Sequence, residues 1–383
     1  MPGRTLPAAA TVVALGLALT ACAGSSTKGS TAGAGSGGTA FATAASAAAG
    51  GGMDALIAAA KKEGTLNVIA LPRDWTNYGE LLDGFAGKYG LKINNANPDG
   101  SSADELTAIT SLKSQSRAPD VVDVGQSFAI SGAKDGLYAP YEVATWKDIP
   151  DTLKESTGLW TNDYGGYISI GCDSSKVTTC PTSMAALDDP AYKGKVALNG
   201  DPTKANAAFS AVWAAALAKG GSLDDIKPGI ALFKALKNGG IYVPVQATAA
   251  TIQSGETPIV INWDYLNASE ADALKAKGRT YSVAVPSDAK FAAYYAQAIS
   301  KYAPHPAAAR LWEEYLYSAE GQNGWLKGYG RPAELEALTS AKKINASYAA
   351  KLPPVSGAPT FPTGNQVTAA KAIVTQDWAN AVK

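Results

Sequence analysis
From residue 53 onward, short apolar runs alternate with segments whose apolar positions recur every three or four residues. Residues 53–63 keep a helical period and stop at Gly64; 66–71 are a compact apolar run closed by Pro72. Residues 80–89 place Leu81, Leu82 and Phe85 on one face, and 91–95 read as the next strand. Ser102 and Glu105 have capping-box spacing and open a predicted helix towards 116, followed by the buried strand D-V-V-D-V at 120–124. After a glycine- and aromatic-rich passage the alternation resumes. Strands are predicted at 196–199, 258–262 and 281–285, and helices after Asp201-Pro202-Thr203 to 218, at 223–237, at 269–277 and, after A-Q-A-I-S at 296–300, at 306–317. This order predicts an α/β protein with mostly parallel strands.

The pattern fails before residue 53. Arg4 precedes an apolar stretch at 8–19 that suits a signal-peptide core and is too short to span a bilayer. It ends in Leu19-Thr20-Ala21-Cys22, which resembles the lipobox of bacterial lipoproteins. That resemblance implies a signal peptide at 1–21, diacylglyceryl modification of Cys22 and a protein held at the membrane by lipid. Residues 23–52 are Gly, Ala, Ser and Thr apart from Lys28 and Phe41, and read as a flexible tether reaching roughly 30 Å. The G-x-G-x-x-G match at Gly33, Gly35 and Gly38 has no strand before it and no helix after it, so it is composition.

Composition narrows the function. A chain of 383 residues exceeds what one core usually serves, and 46% hydrophobic with 17% charged residues is globular. The 33 basic and 33 acidic residues cancel, which opposes nucleic-acid binding; loss of residues 1–21 removes only Arg4 and leaves a slight acidic excess. One histidine and three cysteines exclude most multi-His or Cys-rich metal sites, and H-E-x-x-H cannot be assembled. No G-x-S-x-G is present. Cys172 and Cys180, eight apart in an exported chain, are expected to form a disulfide.

Several stretches carry a wider resemblance: A-A-A-K-K-E-G-T-L-N-V, P-D-V-V-D-V-G-Q-S-F at 119–128, and G-L-Y-A-P-Y at 136–141. D-P-A-Y-K-G-K-V-A-L at 189–198 and A-P-H-P-A-A-A-R-L-W-E-E-Y-L at 303–316 continue it. In this order the chain resembles the extracellular solute-binding proteins of bacterial ABC importers, the group with ferric-iron, polyamine, thiamine and aminoethylphosphonate binders. The resemblance implies a type II periplasmic-binding-protein-like fold of two α/β lobes, 53–165 plus 287–383 and 166–286. Two hinge crossings are placed near 164–168 and 286–293, with a cleft between the lobes and a tail from about Gly328 packed on them. It implies a monomer without cofactor or catalytic residues that passes a small solute to an ABC permease and its ATPase. A lipid-anchored carboxylate-pair hydrolase is the competing class.

Candidate ligand residues follow the predicted strands. Arg73, Asp74, Trp75, Asn77 and Tyr78 follow the first and resemble an aromatic and polar wall of polyamine binders; Gln126, Ser127 and Phe128 follow D-V-V-D-V. Asp201, Thr203, Lys204 and Asn206 open a helix, where amides would favour an anion. Trp263, Asp264 and Tyr265 follow the strand ending at Asn262 and offer an indole face and a carboxylate to a cation. Tyr294 and Tyr295 are expected to line the hinge side, and His305 to sit in a turn. Asp74, Asp264 and the aromatics point to an amine; Arg73 and Lys204 point to an anion such as a phosphonate. The ferric alternative has only Tyr265 where its relatives carry a tyrosine pair.

Overall fold
A computed structural model describes residues 40–355 and 361–382. The expected signal peptide, Cys22 and the tether up to residue 39 lie outside the described residues. Residues 40–52 do not behave as a tether. Phe41 is fully buried with Ala44 and Ala47 beside it, and Arg310 Nε donates to the Ala44 carbonyl at 2.7 Å. One large apolar side chain in a small-residue segment is enough to pin it to the core.

The described elements begin with α1 (Met53–Glu63), β1 (Thr65–Ile69), α2 (Tyr78–Tyr89), β2 (Lys92–Ala96), α3 (Ser102–Ser111), β3 (Val121–Gly125) and α4 (Gln126–Lys134). Then come β4 (Tyr138–Ala139), the long β5 (Thr161–Asp173), β6 (Val196–Leu198), α5 (Asn206–Ala218), α6 (Lys227–Asn238), β7 (Tyr242–Gln246) and α7 (Ala249–Ser254). The chain continues through β8 (Ile259–Trp263), α8 (Asp264–Lys275), β9 (Tyr281–Ala284), β10 (Ala292–Ser300), α9 (Pro306–Leu316) and α10 (Ala319–Lys327). It ends in β11 (Arg331–Pro332), α11 (Leu335–Ser340), α12 (Ala346–Ala349) and α13 (Gly364–Ala381).

Strands β1 and β2 form a parallel pair of their own; the main sheet runs β3-β10-β5-β8-β6-β7, with β4 on β10 and β9 and β11 on β5. The expectation of mostly parallel strands does not hold. β10 is antiparallel to β3 and β5, and β5 to β8 and β9, while parallel pairing is confined to β1–β2, β6–β7 and β6–β8. The reason is β5: its first part pairs with β10 and its second with β8, so one central strand joins the two halves of the sheet. The bond between Cys172, at the end of β5, and Cys180 is present.

The capping box of α3 lies one residue earlier than its spacing suggests: Ser101 and Asp104 form it. Ser102 and Glu105 are buried instead and accept the Gly125 and Asp123 backbone amides, tying α3 to the end of β3.

His305 stands at the turn before α9. Its amide donates to Asp120 Oδ1 at 2.6 Å and its ring Nδ1 lies 2.8 Å from Oδ2. Burial dominates at Asp120 and raises its pKa although His305 pulls the other way; the same contact raises His305. A histidine raised in the folded state contributes stability fully below its unfolded pKa, about 6.5, and loses it as pH rises through the folded value. The stability deficit of His305→Asn, measured by urea unfolding, is therefore expected to be larger at pH 5.5 than at pH 8.5.

Candidate functional site
The ends of the strands and the starts of the following helices converge on one cleft. It has two chambers, of about 310 and 440 Å³, that share Pro72, Trp75, Asp99, Gly100, Asn199 and Gln246. The β1–α2, β2–α3, β6–α5 and β7–α7 connections supply most of the walls, and β3 and β10 add Asp123 and Tyr295 to the smaller chamber. Ligands of open α/β sheets lie at such strand ends.

Trp75 lines both chambers. Its Nε1 donates to the Tyr164 hydroxyl at 2.7 Å, and Tyr265 and Tyr295 meet its ring edge to face, with centroids 6.2 and 5.8 Å away. These contacts fix the indole and leave its ring half-buried at the cleft. The walls are acidic. Asp74, Asp99, Asp104, Glu105, Asp123, Asp201 and Glu270 contribute seven carboxyl groups against the single ammonium of Lys204. Glu105, Asp123 and Glu270 are raised above the ordinary carboxylate range, in each case chiefly by burial. Among the described residues no group of three or more His, Cys, Asp or Glu is arranged to hold a metal ion.

The approach of the two sides is close. A Cβ on Gly125, at the end of β3, would stand 2.2 Å from Asn206 Cγ at the start of α5. On β5, a Cβ on Gly166 would lie 2.4 Å from Asp264 Oδ1. Both positions require glycine because a side chain from elsewhere occupies the space.

The profile of the bacterial extracellular solute-binding proteins matches residues 116–356. The chain belongs to this family. No curated protein matches. Among solved structures, the periplasmic binding protein P5PA is 20% identical with a TM-score of 0.63, covering 84% of this chain and 100% of its own. AfuA from Actinobacillus pleuropneumoniae, with fructose-6-phosphate bound, is 18% identical with a TM-score of 0.66, covering 83% and 98%. Iron-bound HitA from Pseudomonas aeruginosa is 18% identical with a TM-score of 0.59, covering 83% and 99%. These likenesses establish the type II periplasmic-binding-protein fold, with its two lobes and the cleft between them. Family and fold are those of binding proteins that serve ABC importers outside the cytoplasm, not of enzymes. No described helix is long and apolar enough to cross a membrane.

In this solute-binding protein the cleft gathers Asp74, Trp75, Tyr78, Asp201, Lys204, Asn206 and Tyr295 from the residues expected on sequence grounds. Others lie elsewhere. Arg73 points to solvent and pairs with Asp83, and Asn77, in the left-handed region at φ 66°, donates to the Gly324 carbonyl on α10. Thr203 bonds Asp201 in a turn before α5, which starts only at Asn206. Gln126 accepts from Asn162, Ser127 is buried with its hydroxyl unpartnered, and Phe128 packs under Lys371. Tyr294 stacks on Phe361.

The largest correction concerns Trp263, Asp264 and Tyr265. They were expected in a loop; Trp263 ends β8 and Asp264 begins α8 without any loop between. Trp263 is fully buried and stacked on Tyr265, with centroids 6.1 Å apart, so it offers no face to the cleft. Asp264 is fully buried, accepts the Tyr167 and Tyr265 amides and is ion-paired with Arg331 from β11. The missed residues had a signal in part. Asp99 and Gly100 follow a strand as the predicted ones do, and Asp123 is the polar residue inside D-V-V-D-V. Gln246 belongs to a strand that apolar periodicity did not single out, because Tyr242–Gln246 has only Tyr242 buried.

Proposed function
We propose that this solute-binding protein captures a small organic cation, a polyamine-like amine, and delivers it to the permease of an ABC importer. The observation that carries this reading is the sevenfold carboxyl excess of a cleft whose two chambers share an oriented indole. A desolvated ammonium gains from both carboxylates and a π-face. Lobes at 53–165 plus 287–383 and at 166–286 would close over it, with β5 and β10 as the crossings. We further infer a Cys22 lipid anchor: Cys22→Ser should move the protein from the membrane fraction to the soluble one, and unchanged fractionation would refute the anchor.

A thermal-shift screen over polyamines, thiamine, phosphonates, sugars and ferric salts identifies the solute class, since a ligand at 100 times its Kd adds about 2.7 kcal/mol. For an amine, Trp75→Ala should weaken binding about tenfold, the scale of a cation–π contact of 1–2 kcal/mol. Lys204→Ala should tighten it by removing repulsion. The second reading, an anion at Lys204 and the start of α5, reverses that sign: loss of Lys204 then weakens binding.

A further inference from the structure
Beside the cleft, four buried carboxyl groups come together from four elements: Glu105 on α3, Asp123 on β3, Asp163 on β5 and Glu313 on α9. Their partners are unequal. Asp163 accepts from the Tyr164 amide and Gln297 Nε2, and Glu105 from the Asp123 amide. Asp123 Oδ2 accepts from the Tyr78 and Tyr164 hydroxyls at 2.5 and 3.1 Å. Asp123 Oδ1 has no partner, although the residue is only 6% exposed and lines the smaller chamber.

The groups whose pKa is raised by a charge on Asp123 are all acids or phenols. Glu105 faces it from α3, Asp163 and Tyr164 from β5, Glu313 from α9, Tyr78 from α2, Tyr265 from α8, Tyr295 from β10, and Tyr317 from the turn after α9. Lys204, on the same chamber, bears on Asp104, and Arg310 on Glu313. A buried carboxyl without a cation keeps its proton. Burial pushes Asp123 up to about 7 despite two tyrosine hydrogen bonds that favour its charged form.

We propose that Asp123 receives the cationic group of the solute and releases its own proton to solvent as that group arrives. This rests on the organic-cation reading above. The balance is simple: the Asp123 O–H bond breaks, the proton passes to buffer, and Oδ1 accepts an N–H from the solute's ammonium. Tyr78 and Tyr164 continue to hold Oδ2. The solute thus supplies the positive charge that the surrounding protein lacks.

Titration calorimetry of the mature protein with putrescine, spermidine and spermine, in Tris and in phosphate at pH 7, counts the protons exchanged. The expected result is release of about half a proton per bound amine, with affinity about tenfold higher at pH 8 than at pH 6. Asp123→Asn should abolish both the release and the pH dependence while keeping the far-ultraviolet dichroism of the parent. Independently of any variant, the carbon-13 signal of the Asp123 carboxyl in ligand-free protein should titrate in the neutral range. Amine binding without proton release, or with proton uptake, overturns the assignment of Asp123 and leaves the amine reading standing. A carboxyl already ionised at pH 5 overturns it too. No heat with any of the three amines overturns the amine reading, and this assignment with it.

Discussion
Arg331→Met should destabilise the folded protein by about 3–5 kcal/mol, because it leaves a buried carboxylate without its counter-charge. Asp264 is fully buried, and its carboxyl is bonded to Arg331, whose guanidinium also lies 4.8 Å from the Tyr167 ring and donates to the Pro353 carbonyl. Burial already pushes Asp264 above the usual aspartate range with Arg331 in place. Without it the carboxyl can escape its isolation only by taking up a proton, so the deficit should deepen between pH 6 and pH 8. Urea unfolding at both pH values measures it. Asp264→Asn in the Arg331→Met background should recover a large part of the loss, and a double variant no more stable than Arg331→Met would refute the account. The same pair explains why Asp264 is a weak choice for a ligand carboxylate: its charge is already committed, 67 residues along the chain from its partner.

Trp378→Ala should cost about 3–5 kcal/mol, the range for emptying a buried tryptophan site. Trp378 is 5% exposed and meets Phe233 on α6 and Tyr242 on β7 edge to face, with centroids 5.5 and 6.3 Å away. Its helix, α13, also buries Val367, Ala370 and Val374. Lys371 on the same helix places Nζ 4.6 Å from the Phe128 ring of α4 and 5.1 Å from the Phe209 ring of α5, and donates to the Pro202 carbonyl. α13 therefore fastens the end of β3–α4 to the start of α5, on either side of the smaller chamber. Removing residues 361–383 should lower the melting temperature and enlarge the ligand-free radius of gyration measured by scattering. A truncated protein with the parent's stability and radius would contradict this role.

Much of the backbone was legible in the sequence. Helices α1, α2, α3 and α9 and strands β1, β3, β6 and β8 fall within a few residues of the periodic segments that announce them. Gly64 and Gly90 stop helices in the left-handed conformation that glycine adopts at low cost. The cleft was most legible where a true loop follows a strand, as at Trp75 and Lys204, with Tyr295 on β10 reached from inside a strand. It failed at Trp263 to Tyr265, since a strand that enters a helix directly leaves no loop, and three polar or aromatic residues in a row look the same in either setting.

The sequence by itself determined the alternation of strands and helices, the family and the acidic, aromatic chemistry within reach of the strand ends. Those properties are local: period, caps and composition act over one or two turns of chain. Only the tertiary structure decided which carboxyls line the cleft and which face an arginine. It also decided that β5 joins the two halves of a mixed sheet, that Phe41 binds its small-residue segment to the core, and that α13 joins two sides of the cleft. Each of these depends on a partner tens to hundreds of residues away, and burial changes the energy of a charge or an indole only once that partner is in place.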